Sequence, residues 1–133
     1  MSGWVESRRV AKTVESLIET YADRYSAHDA EGVAALCEAP FLAIRGGVPI
    51  HLADRDAVRE HFAAMMKAYR GQGAAKWIPV TIEVHSIGDF AAFATVRWNA
   101  HDERGEILRD TRTTYHLLAD DGGWRLLSYT NHF

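Results

Sequence analysis

The chain carries one cysteine in 133 residues, Cys37. A lone thiol excludes an internal disulfide framework and fits a reducing compartment. An excess of charge of one sign is missing too. With 15 basic and 18 acidic side chains the formal net charge is -3, which gives no reason to expect nucleic acid or an anionic membrane as partner. No window approaches the roughly 18 apolar residues of a membrane-spanning helix. The opening Met1-Ser-Gly-Trp-Val-Glu-Ser-Arg-Arg9 has no apolar run of the signal-peptide kind, so a cytoplasmic protein is expected. The seven histidines are scattered, with no H-x-x-x-H or Cys/His ligand spacing. Phosphate-binding glycine loops, a G-x-S-x-G nucleophile elbow, internal repeats and low-complexity runs are also lacking. No metal and no cofactor are expected.

What remains is an ordinary globular composition, 47% hydrophobic and 25% charged, in a length that fits one domain, residues 1–133. A chain this long buries about two-thirds of its unfolded surface, enough for a core without staples. Val14, Leu17, Ile18, Tyr21 and Tyr25 recur at steps of three and four, predicting a helix from Val10 to Ala27. Asp29 is placed to cap a short helix, Ala30 to Cys37, which Pro40 ends. Phe41–Arg45 and Val48–Leu52 read as a hairpin about Gly46-Gly47, with Pro49 pointing to an edge strand. Asp54 caps a third helix, Arg55 to about Tyr69, whose apolar face is Val58, Phe62, Met65, Met66 and Tyr69. From Lys76 the period becomes two. Ile78, Val80, Ile82 and Val84 mark one strand; Ala92, Ala94, Val96 and Trp98 mark the next. Ile107–Leu118 and the segment after Asp120-Asp-Gly-Gly123 complete a meander. The result is an α+β class, three N-terminal helices packed on a strongly curved, mainly antiparallel sheet.

This order, with Tyr21–Leu36, Asp54–Phe62, His85–Trp98 and Asp120–Leu127 as its carrying segments, resembles the nuclear-transport-factor-2-like superfamily. That group includes ketosteroid isomerases, scytalone dehydratase, limonene epoxide hydrolase and SnoaL-like polyketide cyclases. The resemblance implies a cone-shaped, cystatin-like roll with a cavity between the first helix and the concave sheet face. It also implies a homodimer through the outer sheet face. On the steroid-isomerase pattern, Tyr21 stands where the oxyanion donor would be. Arg45 falls where the general-base aspartate would be, and Thr114 where the second, carboxylic donor would be. An arginine cannot abstract a proton at ordinary pH, so no steroid isomerase activity is expected.

On the implied geometry Tyr21, Tyr25, Arg45, His61, Trp98, Arg112, Thr114, His116, Leu127, Tyr129 and Asn131 would face inward. Tyr21, His61 and His116 are then the catalytic candidates. Tyr25, Arg45, Trp98, Asp110, Arg112, Thr114, Tyr129 and Asn131 would hold ligand. A pairing of Asp110 with Arg112 near the mouth is the competing reading of that arginine. Structural roles compete for His61 as a helix-edge residue, for the tyrosines as core residues with wet hydroxyls, and for Met65-Met66 as core filler. Trp124, Leu126, Leu117 and Tyr115 would form an outward apolar patch and bring two copies together. Trp4 is left without an assigned contact. Two functions remain open: cofactor-independent proton transfer in the cavity (isomerisation, dehydration or cyclisation), and a non-catalytic ligand-binding or association domain.

Overall fold

A computed structural model describes residues 3–132, with side chains from residue 8 onward; the Trp4 side chain lies outside that range. The elements are α1 (Gly3–Ser26), α2 (Ala30–Ala34), β1 (Cys37–Arg45), β2 (Val48–Leu52), α3 (Arg55–Gly71), β3 (Lys76–Ile87), β4 (Ala91–His101), β5 (Ile107–Asp120) and β6 (Gly123–His132). The expected helices and strands are all present, in the expected order. Both aspartate caps form: Asp29 accepts from the Gly32 amide at 2.9 Å and Asp54 from the Ala57 amide at 2.8 Å. Helix α2 ends at Ala34, earlier than expected, and β1 begins at Cys37 because its first residue pairs with Leu126 of β6.

The six strands run in the order β2-β1-β6-β5-β4-β3, all antiparallel except β1 with β6. Pro49 is on edge strand β2, where the missing N–H costs no ladder bond. Gly46 and Gly47 both take positive φ, 57° and 77°, the pair of dihedrals that suits a two-residue hairpin to the twist of its strands. The helices cover one face of the sheet, and the core lies between. Val14, Ile18, Tyr21 and Tyr25 of α1, Val58, Phe62 and Met66 of α3, and Ala92, Ala94, Val96 and Trp98 of β4 are buried in it.

Two strands depart from simple alternation. In β3 the register shifts between Pro79 and Thr81. Trp77 thereby packs on the core with Ile82 and Val84, and Val80 is left exposed. In β6 the shift lies at Leu127: Leu117 pairs with Leu126 while His116 pairs with Ser128. One extra residue on a strand reverses the side-chain parity beyond it. Leu126 and Tyr129 therefore face the core together, and Trp124 packs there as well.

The β5 faces are consequently the reverse of the expectation. Strand β4 settles them, because directly opposed residues share a face. Ala94 opposes Tyr115 and Val96 opposes Thr113, so Thr113, Tyr115 and Leu117 point inward. Tyr115, Leu117 and Leu126 are 3%, 0% and 0% exposed and cannot form an outer patch. Arg97 opposes Arg112, Thr95 opposes Thr114 and Phe93 opposes His116, which puts these residues on the outer face.

Candidate functional site

Between α1, α3 and the concave face lies a cavity of about 50 Å³. Tyr21, Tyr25, Phe62, Trp98, Thr113, Tyr115 and Tyr129 form its buried wall, and Arg45, Met65, Tyr69, Trp77, Thr111 and Asn131 its half-buried rim. Of the residues singled out from sequence, Tyr21, Tyr25, Arg45, Trp98, Tyr129 and Asn131 line it. His61 reaches it through Tyr129. Asp110, Arg112, Thr114 and His116 do not, since their side chains point from the opposite face. Arg97 there takes Asp110 in a two-pronged ion pair at 2.7 and 3.0 Å, Thr114 bonds Thr95 and His132, and His116 stacks on Phe93. The expected pairing of Asp110 with Arg112 near the mouth is not formed; Asp110 pairs with Arg97 on the outer face instead. Sequence reasoning missed Phe62, Trp77, Thr111, Thr113 and Tyr115 as lining residues. The available signal was Tyr115 and Leu117, two large apolar side chains two apart.

One polar group is the trio Arg45, Tyr129 and His61. The end of β1, the middle of β6 and the first half of α3 bring them together, where β1 and β6 run parallel with Ala43 beside Tyr129. His61 Nε2 lies 2.6 Å from the Tyr129 hydroxyl, whose oxygen also accepts from Arg45 Nη1 at 3.5 Å. Arg45 Nη2 donates to the Tyr69 hydroxyl at 3.0 Å. Burial, then the nearby Arg45 charge, holds His61 below the ordinary imidazole pKa, so the ring is neutral at pH 7. Burial raises the Tyr129 hydroxyl above the usual phenol value, and the Arg45 hydrogen bond and charge work against that rise. A neutral imidazole in so short a contact with a phenol can take its proton or return one, and the guanidinium stabilises the phenolate.

The second group lies deeper. Trp98 Nε1 donates to the Tyr115 hydroxyl at 3.1 Å, and the Tyr21 hydroxyl interacts with Tyr115. Burial raises both phenols, Tyr21 strongly, so both stay protonated. An indole nitrogen only donates, so the Tyr115 oxygen is the acceptor. Two phenolic protons then remain, and one link between the two hydroxyls uses only one of them. Among the described residues at least one O–H donor is left for whatever occupies the cavity. Nearby, Thr113 donates to Asn131 Oδ1 at 3.1 Å and holds that amide at the rim. Among the described residues no aspartate or glutamate lines the cavity, and no group of three metal-ligating side chains occurs.

The fold and site define a class: a helix-backed curved sheet with a small aromatic cavity whose wall includes a tyrosine backed by a histidine. A family model described as "NTF2-like protein (DUF6841)" matches residues 11–133. The chain belongs to that NTF2-like family. No curated protein sequence matches it. Similar solved structures include a protein of unknown function from Mycobacterium tuberculosis, 18% identical, covering 99% of this chain and 76% of that one with a TM-score of 0.76. A Streptomyces avermitilis protein of the NTF2-like family, described only provisionally as a dehydratase, is 16% identical over 94% of this chain and 96% of its own, TM-score 0.72. A Xanthomonas campestris protein, provisionally described as a calcium/calmodulin dependent protein kinase II association domain, is 16% identical over 89% and 83%, TM-score 0.66. At these identities the likeness concerns the fold.

Proposed function

We propose that this chain binds a small oxygenated molecule in the cavity and moves a proton on it without a cofactor, as in isomerisation, dehydration or cyclisation. The observation that carries the reading is the 2.6 Å contact between His61 and the cavity-lining Tyr129, backed by Arg45. A substrate oxygen accepts the spare O–H of the Tyr21–Tyr115 pair. Tyr129 gives or takes the proton at the reacting atom, and His61 restores it from the half-buried side of α3. Arg45 stabilises the transient phenolate, the term that normally makes tyrosine a poor base. Asn131 orients the ligand at the rim. At about 50 Å³ the cavity is far smaller than the ~150 Å³ of a cavity that holds benzene, so substrates of a few heavy atoms fit it.

The test is exchange of α-protons on acetone or hydroxyacetone in D2O, followed by NMR. The wild type is expected to accelerate exchange over buffer. Tyr129→Phe and His61→Ala are expected to lose about 10²–10⁴-fold of that acceleration while keeping the fold by circular dichroism. No acceleration with either ketone defeats the reading.

One observation favours a second reading, a non-catalytic ligand-binding or association domain: among the described residues the lining contains no carboxylate to serve as a strong base. A ligand would then raise the melting temperature without being turned over. In either case we place the protein in the cytoplasm, where its one cysteine, Cys37, is kept as a free thiol; none of the described helices is long and apolar enough to cross a membrane. We also assign it a homodimer through the outer sheet face, where Phe93 and Leu118 are each 41% exposed; a monomer by light scattering at micromolar concentration would remove that assignment.

A further inference from the structure

We infer that the cavity's ligand is a small carboxylate and that Arg109 is the residue that selects it; the inference rests on the cavity being a ligand site. Arg109 opposes the fully buried Ala100 on β4 and so lies on the concave face. It is two residues from Thr111, a rim residue of the cavity on the same face. Its guanidinium carbon lies 5.2 Å over the ring of Tyr69, another rim residue, and its Nη1 donates to the side chain of Gln72 at 3.1 Å just past the end of α3. Its Nε is buried with no hydrogen-bond partner. No aspartate or glutamate pairs with Arg109 among the described residues, although Arg55, Arg59, Arg97 and Arg125 all have one.

A guanidinium is always charged and offers five N–H groups in a planar fork matched to a carboxylate. Here an aromatic ring packs against the fork, a neutral amide takes one donor, and another donor is buried and unused. Leaving a buried donor unsatisfied is costly. The Nε is out of reach of an incoming ligand, so a carboxylate arriving at the mouth beside Tyr69 and Thr111 is taken by Nη2, which is neither bonded to another described residue nor buried. The remainder of a ligand of a few heavy atoms extends past Asn131 toward Tyr129 and Tyr115. Arg45, on the other side of Tyr69 through its hydroxyl contact, adds to the positive potential of the mouth. The outer-face arginines do not compete for this role, because Arg97 is neutralised by Asp110 and Arg112 faces away from the cavity.

The probe is the isosteric pair butyrate and butyramide, titrated calorimetrically against wild type, Arg109→Gln and Arg109→Lys at low salt. Wild type is expected to bind butyrate at least about tenfold more tightly than butyramide, the scale of one charge-assisted hydrogen bond, with the gap narrowing as salt is raised. Arg109→Gln should bring the two affinities together by weakening butyrate alone. Arg109→Lys should keep part of the preference. Equal affinities in the wild type, or an undiminished butyrate preference in a folded Arg109→Gln, overturn the inference while butyramide binding upholds the cavity as a site. Failure of both compounds to bind overturns the cavity reading with it. The wild-type comparison needs no variant, so a misfolded Arg109→Gln does not rescue the idea.

Discussion

The inversion of the β5 and β6 faces turns on one extra residue, Leu127, and two substitutions read it out. Leu126 is fully buried against Leu117. Truncating it to alanine removes three carbons at ~0.8 kcal/mol each and leaves a cavity in a sheet that cannot close up around it. Leucine-to-alanine changes of that kind cost about 2–5 kcal/mol, and the central position of β6 between β1 and β5 puts Leu126 in the upper half of that range. Leu127 sits at the register shift and is half-buried, so Leu127→Ala should cost less than about 1.5 kcal/mol. With a urea m-value of about 2 kcal/mol/M, Leu126→Ala should lower the unfolding midpoint by about 1.8–2.5 M and Leu127→Ala by well under 1 M. Equilibrium urea melts followed by far-UV circular dichroism and tryptophan fluorescence measure both, provided that m is unchanged. Equal costs, or a larger cost for Leu127, would refute the bulge. The strand would then alternate without a break, Leu126 and Trp124 would return to the outer face, and the inward placement of Thr113 and Tyr115 would lose its support from β6.

Further outcomes follow from the same geometry. His61 is held below the ordinary imidazole pKa of 6.5 by burial and then by Arg45, so proton transfer should be level at neutral pH and fall as His61 protonates below it; an acid limb that persists in His61→Gln would contradict this. The same shift makes the unfolded chain take up its proton first as pH falls below 6.5, so this group's contribution to stability declines toward its lower folded value. Urea midpoints at pH 7.5 and 5.5 should therefore separate more in wild type than in His61→Gln. Burial pushes the Cys37 thiol up to about 12, and its Sγ rests on the Val33 carbonyl at 3.4 Å; Ellman's reagent should react slowly with native protein and at once in denaturant, and immediate native labelling would contradict the packing. A 3-oxo-Δ5 steroid should not turn over, since no carboxylate among the described residues lines the cavity and the cavity is small; measurable isomerisation would overturn that.

What the sequence disclosed was what neighbours along the chain decide. Asp29 and Asp54 meet amides three residues away, Gly46-Gly47 sets its own turn, and the α1 stripe of Val14, Ile18, Tyr21 and Tyr25 is a periodicity within one helix. Strand β4 is equally plain, because Ala94, Val96 and Trp98 on one side stand against Thr95, Arg97 and Asn99 on the other. Strand β5 carries polar residues on both sides through its first half, Arg109, Thr111 and Thr113 against Asp110, Arg112 and Thr114, and alternation cannot choose between them. The choice comes from register with β4, a contact between distant positions, and from bulges at Leu127 and near Val80 that no local pattern announces. The cavity was therefore legible on α1, β1, β4 and β6, through Tyr21, Tyr25, Arg45, Trp98, Tyr129 and Asn131, and misread on β5, where Thr111, Thr113 and Tyr115 stand.

That correction changes the chemistry open to the site. With Arg112, Thr114 and His116 inward, the cavity would have held a second histidine and a second guanidinium, enough to argue several mechanisms. With them outward, the ionisable groups of its lining reduce, among the described residues, to phenols and Arg45, with one histidine behind a phenol and Arg109 beyond the rim. Phenols raised by burial are poor bases, and only Tyr129 has both a neutral imidazole at 2.6 Å to accept its proton and a guanidinium to stabilise what remains. Tyr21 and Tyr115 lack both aids and keep their protons, so they can donate to an oxygen and do no more. The polar groups thus divide into one donor end and one proton-moving end. Were the cavity only a binding pocket, the donor end would suffice, and replacing His61 by alanine would leave ligand affinity nearly untouched. If proton transfer is the function, that replacement must abolish turnover at unchanged affinity.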